Sequence, residues 1–599
     1  MGPSGAGKTS LLKVLNGRSK TRLNVESRFY LSRFTPTKTC YITQEVSGHL
    51  MPGMTAKQLL IFASRLKNIW EEGTVDHESI ALNILNELDL HEARDTMVER
   101  CSGGERKRLA LGIELTALRM PNLICIDEPT SGLDSNSSVI VTDCLRKLSR
   151  LHNLCIITSI HQPNTEVLMN FDDVYVLAKG GVCVYSGHPN EIRQHLTQYS
   201  ANNDVQKNSS FPIEELIKYS CLDYTDFQVK NLVQATKTKI FDEKRNNINE
   251  ETQLVLDGIP NNRVRFSIRS IWILILRYFY FIRGFQWIHL SIFPLCLFLD
   301  GLVMGLIFDP KIALPTGCIN LEDDFNNTCA RTEQQRIDDS DLRTNFAYTL
   351  TYSNMFLSLI MLQSALMFSK DFIYFLNEHR NGWYSTGAFY ALKMIIEIWP
   401  LIATAFLFVY EIDIYEDVRP NIYLWMVALI ILGSMSIQGA GYLLAILSSG
   451  DFTLLIAYFV GYSSFAVLLS NAVTPVHRLH YIYSLLSKFS PYRFVFEALM
   501  LLKYGFGRCH RKQLQVILYK LRLTHEQDDL VFCIIMLIFN IIVYRLLAFI
   551  VLWIRCNSYQ NRRSRADRIL DHHGKLAPSN ATIPGLSCHQ EFTIHQIAI

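Results

Sequence analysis

Residues 2–9 read GPSGAGKT, which fits GxxxxGK followed by Ser or Thr. Glycines let backbone approach an anion closely, and successive N–H groups at a helix start then point at it. In such a loop Gly2, Gly5, Gly7 and Ser10 border the phosphates, Lys8 reaches the β/γ-phosphates and Thr9 ligates Mg²⁺. Asp127 and Glu128 end the apolar run 123–126. There Asp127 can hold Mg²⁺ and Glu128 can polarise an attacking water. An acidic strand end is common by itself; the glycine loop upstream gives this one its meaning. Residues 101–108, CSGGERKR, place Ser102, Gly103 and Gly104 at the start of a helical run. That is a second anion-binding N-terminus. One site does not need two cradles, so two copies sharing their sites are expected, with a plain capped surface helix as the alternative. His161 follows a second apolar run, where a γ-phosphate sensor would sit, although a lone His there is more often structural. Gln44, after Cys40 and Tyr41, carries little signal alone.

The runs at 123–126 and 154–157 have the short, continuous apolar character of buried parallel strands. Helical spacing marks 57–68 and 78–90. Strands alternating with helices imply an α/β domain over residues 1–200. A polar linker rich in Asn, Lys and Gln follows at 201–262. Residues 263–284 carry Arg265, Arg269, Arg277 and Arg283 among aromatic and aliphatic residues, as an amphipathic helix at the membrane interface would. Apolar stretches near 286–308, 345–368, 387–410, 422–448, 453–475 and 529–554 each approach the ~20 residues a membrane span needs. They define a six-span domain over 285–555, with a tail at 556–599.

Composition agrees with a membrane protein that has a large soluble part. Charged residues are 19% of the 599, below the roughly 25% of soluble domains. Lys and Arg number 58 against 55 acidic residues, so the net charge of +3 gives no case for nucleic-acid binding. The 14 cysteines show no CxxC pair, and seven lie in the first 221 residues, as in a reduced cytosolic domain. With that domain cytosolic and six spans, the tail is cytosolic too. Arg555, Arg562, Arg563, Arg565 and Arg568 there obey the positive-inside rule. Residues 477–522 fall outside by this count yet are basic, which suggests re-entrant helix.

Taken in order, GPSGAGKT, Gln44, CSGGERKR, LICIDEPTSGLD at 123–134 and SIHQP at 159–163 resemble the Walker A, Q-loop, signature, Walker B/D-loop and H-loop of an ABC transporter ATPase. Residues 175–187 and 375–400 resemble the G (White) subfamily, whose ATPase precedes its membrane domain. The resemblance implies a P-loop ABC ATPase domain of α/β fold followed by an all-α six-helix membrane domain of the type V exporter kind. It implies ATP and Mg²⁺ as cofactors, with Thr9, Gln44 and Asp127 at the metal, Glu128 as general base and His161 on the γ-phosphate. Ser102, Gly104 and Asp134 would act across a dimer. It also implies a cavity between the second and fifth spans, with Leu468 and Leu469 closing it outward; Asn354 and Tyr458, polar groups within those spans, are candidates to line it, with packing between helices as the alternative.

Residues 490–498 with Tyr504 resemble the sterol and lipid branch. The expected activity is therefore ATP-driven export of a lipid or sterol-like amphipathic molecule, a hydrophobic small-molecule substrate, across a lipid bilayer at the plasma membrane or a vesicle membrane, by a half-transporter working as a homodimer or heterodimer. A pigment-precursor or small-metabolite transporter subunit is one alternative; an inactive or regulatory partner is another. In the loop 309–342, Asn326 is a glycosylation candidate and Cys318 with Cys329 could close a disulfide on the oxidising side. The strand that feeds a P-loop, and the aromatic that stacks on adenine in this family, have no residues before Gly2. An N-terminally incomplete ATPase domain is expected on that ground.

Overall fold

The structure is a computed structural model that describes residues 1–573 apart from 17, 19–28, 33–37, 72, 162, 200–211, 223–224, 248–251, 256–263, 282–286, 311–317, 321–332, 417, 419, 472, 477–478, 506–512, 516–517, 519–520 and 524–526. Asn326, Cys329 and the end of the tail lie outside the described residues, as does the side chain of Cys318. The chain forms two units, one of Met1–Gly284 with Leu376–Ala388, the other of Phe285–Phe375 with Phe389–Cys556.

The first unit is built on three parallel strands, β1 (Thr39–Ile42), β2 (Leu123–Asp127) and β3 (Cys155–Ser159), in that order across the sheet. Every residue of β1 and β2 is buried, as a parallel strand covered on both faces requires. The 154–157 run does not share this: in β3, Cys155 is exposed and Ile156 to Thr158 are half-buried. Helices α1 (Lys8–Leu15), α2 (Ala56–Lys67), α3 (His77–Glu87), α4 (Gly103–Leu115) and α5 (Ser135–His152) surround the sheet. Their starts are written in the sequence. Thr55 with Gln58, and Ser102 with Glu105, form capping boxes, while Asp76 and Asp134 cap α3 and α5. Gly112 lets α4 sit close on α3, since a Cβ there would lie 2.5 Å from Leu88 Cδ1.

An antiparallel pair, β4 (Val174–Leu177) and β5 (Cys183–Gly187), shares a core with α6 (Ile192–Tyr199), α7 (Pro212–Ser220) and α8 (Phe227–Asn247), which includes Leu216, Val229 and Leu232. The amphipathic segment is α9 (Ile268–Phe281), with Trp272, Phe279 and Tyr280 exposed. Arg277 departs from the interfacial reading of this segment. It is buried and forks onto Glu378 at 2.6 and 2.8 Å, a bidentate geometry that suits a guanidinium to burial.

The second unit is helical: α10 (Trp287–Phe308), α11 (Glu333–Arg380, whose last turn belongs to the first unit), α12 (Thr386–Ile396), α13 (Ile398–Glu416), α14 (Pro420–Ser448), α15 (Phe452–Leu468), α16 (Tyr481–Ser487), α17 (Pro491–Tyr504) and α18 (Gln527–His573). Among the described residues, four helical stretches are long and apolar enough to span a membrane: Leu342–Arg380, Thr386–Tyr415, Pro420–Ser448 and Asp528–Cys556. Phe293–Phe308 and Phe452–Leu468 are apolar but shorter.

Two spans differ in detail from the sequence expectation. The stretch 387–410 breaks between α12 and α13, where Pro400 removes the N–H that would bond Ile396. The stretch 453–475 stops being helical at Leu468. Beyond it, polar side chains take over from the helical ladder: Asn471 Oδ1 accepts from Val476 N–H at 3.1 Å, and the Thr474 hydroxyl donates to the Leu468 carbonyl. The small residues of α14 serve close packing. A Cβ on Gly433 would lie 2.4 Å from Val495 Cγ2, and one on Gly441 would lie 2.7 Å from the Met361 carbonyl. The basic region after α15 contains α16 and the buried helix α17.

Candidate nucleotide site

The loop before α1 turns twice into the left-handed region, at Gly5 (φ 80°) and Gly7 (φ 88°), and no atom lies within 4 Å of a Cβ built on either. The result is an open concavity lined by backbone N–H groups. Lys8 is buried, and its ammonium donates to the carbonyls of Gly2 at 2.8 Å and Pro3 at 3.1 Å. Burial lowers its pKa, while Glu128 and Asp127 oppose that shift. Ser10 is exposed on the first turn of α1.

Asp127 ends β2 and is buried. Its Oδ1 accepts from Thr9 Oγ1 at 3.0 Å and from Ser159 Oγ at 2.5 Å, and its Oδ2 from the Tyr41 phenol at 3.1 Å. Glu128 follows with φ 48°, a left-handed conformation rare for a residue with a side chain. The Ser159 hydroxyl accepts its N–H at 2.9 Å, and Gln44 Nε2 donates to its Oε2 at 2.8 Å. Lys107 donates to the carbonyls of Glu128 at 3.3 Å and Ser131 at 2.5 Å. The structure thus gathers Thr9, Gln44, Asp127 and Glu128, with Lys8 close by in charge terms. His161 lies exposed just past β3.

These residues fit a nucleotide with its magnesium. The Thr9 hydroxyl and the Asp127 carboxylate already meet, beside a cradle with room for a phosphate. At α4, Ser102 Oγ accepts from Glu105 N–H, and the Glu105 carboxylate accepts from Ser102 N–H at 2.7 Å. Within one chain the signature string therefore takes its capped-helix form. Gly103 lies against Leu133, where a Cβ would be 3.1 Å from Cδ2, and Gly104 faces Ser137. Asp134 caps α5; its hydrogen bonds to the Ser137 hydroxyl and N–H hold its carboxyl below the usual range.

Sequence reasoning missed Ser159, Tyr41 and Lys107. Lys107 stands inside the signature string. Ser159 and Tyr41 reach the site through strand register, which motif spacing along the chain does not reveal. Asp127 pairs with Ser159, and Tyr41 pairs with Cys125, two residues before Asp127 and hence on its face.

In the second unit, Asn354 on α11 is half-buried, with Oδ1 unpaired among the described residues. On α15, Tyr458 and Leu468 are exposed, at 41% and 54%, while Leu469 is buried. Leu454, Tyr458, Phe465 and Leu468 recur at helical spacing along one exposed stripe.

Residues 1–131 match the family model described as ABC transporter, and residues 301–504 match that of the ABC-2 type transporter. ABC transporter G family member 22 of Arabidopsis thaliana is 33% identical over 243 residues, 38% of this chain and 30% of that protein. ABC transporter G family member 1 of Dictyostelium discoideum is 34% identical over 241 residues, 38% of this chain and 29% of that protein. An uncharacterized ABC transporter ATP-binding protein/permease of Saccharomyces cerevisiae is 32% identical over 218 residues, 34% of this chain and 16% of that protein. The matches span less than a third of these relatives' lengths. The chain joins a P-loop ABC ATPase domain to an ABC-2 type helical membrane domain, is homologous to ABC transporter G family proteins, and is an integral membrane protein.

Proposed function

We propose that this chain is an ATP-driven half-transporter that works as a dimer and exports a lipid or sterol-like amphipathic molecule. The observation that carries the ATPase part is the hydrogen bond from Thr9 Oγ1 to Asp127 Oδ1 at 3.0 Å, set beside the open glycine cradle. In this reading the N–H groups around Gly5 and Gly7 hold the phosphate oxygens and Lys8 leaves its loop carbonyls for them. Thr9 and Asp127 hold Mg²⁺, which when bound neutralises charge on the transferring phosphoryl group. Glu128 takes the proton of the attacking water. Gln44, hydrogen-bonded to Glu128 Oε2, fixes where that carboxylate points. His161 lies past the same strand edge to meet the γ-phosphate.

Ser102, Gly104 and Asp134 close the site of a second copy. The exposed stripe of Leu454, Tyr458, Phe465 and Leu468 gives apolar cargo, or the second copy, a surface to meet. Asn354 is the polar group this reading assigns to cargo. The complete set of Lys8, Thr9, Asp127 and Glu128 supports a working ATPase over an inactive partner subunit.

Glu128→Gln in the purified full chain tests the chemistry. It is expected to bind ATP and hold it, with turnover reduced about a hundredfold or more; hydrolysis at the wild-type rate defeats the assignment. ATPase stimulation by sterols or phospholipids, and not by tryptophan-derived metabolites, is the expected cargo signature. Co-purification of two differently tagged copies of this chain distinguishes a homodimer from the heterodimer of the pigment-precursor reading.

A further inference from the structure

Within the first unit, Asn381 inserts its side chain against three elements of the ATPase domain. Its Oδ1 accepts from Arg18 Nη2, just past α1, at 2.5 Å and from the backbone N–H of Tyr41 in β1 at 3.1 Å. Its Nδ2 donates to Glu114 Oε1 in α4 at 2.7 Å and to the Tyr41 carbonyl at 3.3 Å. An amide has two donors and two acceptor lone pairs, and all four are engaged. Asn381 therefore bonds both backbone groups of Tyr41, much as a neighbouring strand would.

Glu114, which anchors the amide, is itself held by Lys67 at 2.7 Å and by Trp383 Nε1 at 3.3 Å. The Arg18 guanidinium also lies over the Tyr41 ring, 5.0 Å from its centroid. Tyr41 is thus held at its backbone and at its ring. Its buried phenol ends on Asp127 Oδ2, the carboxylate oxygen that takes neither Thr9 nor Ser159.

We propose that Tyr41 is a positioning residue for Asp127, fixed in turn by Asn381, so that the segment Leu376–Ala388 sets the orientation of the magnesium-binding carboxylate. The proposal rests on the nucleotide-site reading. A carboxylate gripped on one oxygen by Thr9 and Ser159 can still swing about that edge. The phenol on the other oxygen removes that freedom, and the phenol is only as fixed as its strand. Partners of this kind, which orient a metal-binding carboxylate without touching the metal, typically change metal affinity 10–100-fold when removed.

Tyr41→Phe keeps the ring and its packing and deletes only the hydroxyl. In the purified full chain, Mn²⁺ titration followed by electron paramagnetic resonance, with a non-hydrolysable ATP analogue present, reads the metal site without turnover. A fluorescent ATP analogue in EDTA reads the phosphate cradle alone. Tyr41→Phe is expected to weaken Mn²⁺ about tenfold and to leave metal-free nucleotide affinity at the wild-type value. Asn381→Ala is expected to shift Mn²⁺ affinity in the same direction, and the double variant no further than the larger single effect.

Wild-type Mn²⁺ affinity in Tyr41→Phe overturns the proposal. So does parallel loss of metal-free nucleotide binding, which marks general damage rather than positioning. Full additivity in the double variant overturns the link between Asn381 and Tyr41. A wild-type chain that binds neither the analogue nor Mn²⁺ overturns the nucleotide-site reading itself, and the wild-type arm separates that failure from the others.

Discussion

One hydroxyl connects the two acidic residues of the site. Ser159 Oγ donates to Asp127 Oδ1 and accepts the N–H of Glu128, whose backbone is left-handed. The strained turn that aims Glu128 is therefore secured from the neighbouring strand. Ser159→Ala leaves a buried carboxylate oxygen and a backbone N–H short of a partner, at a cost of about 1–3 kcal/mol. The expected result is a lower melting temperature for the ATPase unit together with reduced hydrolysis. A wild-type melting temperature with wild-type turnover would show that Glu128 holds its turn unaided. At this scale the sequence was legible where chemistry is local. Lys8 and Thr9 stand at fixed spacing in one loop, and Asp127 and Glu128 are adjacent. It was opaque where partners meet through strand register, since Ser159 lies 32 residues from Asp127 and Tyr41 lies 86 residues from it.

Helix starts were readable because capping is a short-range affair: the Ser102 and Glu105 spacing specifies the reciprocal bonds that the structure shows. Helix ends in the membrane unit were less so. The apolar stretches 387–410 and 453–475 continue through Pro400 and past Leu468, yet the helices stop where a missing N–H or a competing polar side chain interrupts the ladder. The small residues on α14 meet partners that lie far away in the sequence. Gly441 meets the Met361 carbonyl of α11, and Gly433 meets Val495 of α17. Gly441→Val must push backbone against backbone, since the nearest atom is a carbonyl rather than a flexible side-chain tip. The expected loss is about 1–3 kcal/mol, read as a lower unfolding temperature of the detergent-purified chain. Gly461, with no atom within 4 Å of a Cβ, provides the matched control: Gly461→Ala is expected to melt with wild type. Equal melting of the Gly441 and wild-type chains would mean that α11 and α14 can move apart freely.

At the scale of the whole molecule, each unit buries a charge cluster assembled from segments far apart in the chain. In the ATPase unit, Glu378 takes the Arg277 fork and the Tyr384 hydroxyl. In the membrane unit, Lys393 is 1% exposed and lies 2.5 Å from Asp371 and 3.2 Å from Glu397. Glu397 also accepts from Gln438 at 2.7 Å and from Tyr442 at 2.6 Å, and Gln438 accepts from Arg545 at 3.0 Å. Residues of α11, α12, α14 and α18 are thereby joined through polar groups inside an apolar unit. The sequence shows Lys393 and Glu397 four apart on one helix face, but Asp371 is supplied by the fold. Ion pairs at this depth add little net stability when intact, because desolvation offsets their attraction. Breaking one is a different matter. Lys393→Met fills similar volume but leaves the buried Asp371 and half-buried Glu397 carboxylates without their cation, and about 3–5 kcal/mol is the expected loss. Because the cluster lies wholly in the membrane unit, nucleotide affinity in the ATPase unit is expected to stay at its wild-type value while the unfolding temperature falls. Adding Asp371→Leu to Lys393→Met removes one uncompensated charge and is expected to recover part of the loss. If Lys393→Met melts with wild type, or if the second substitution deepens the defect, the ammonium is not what holds these helices together.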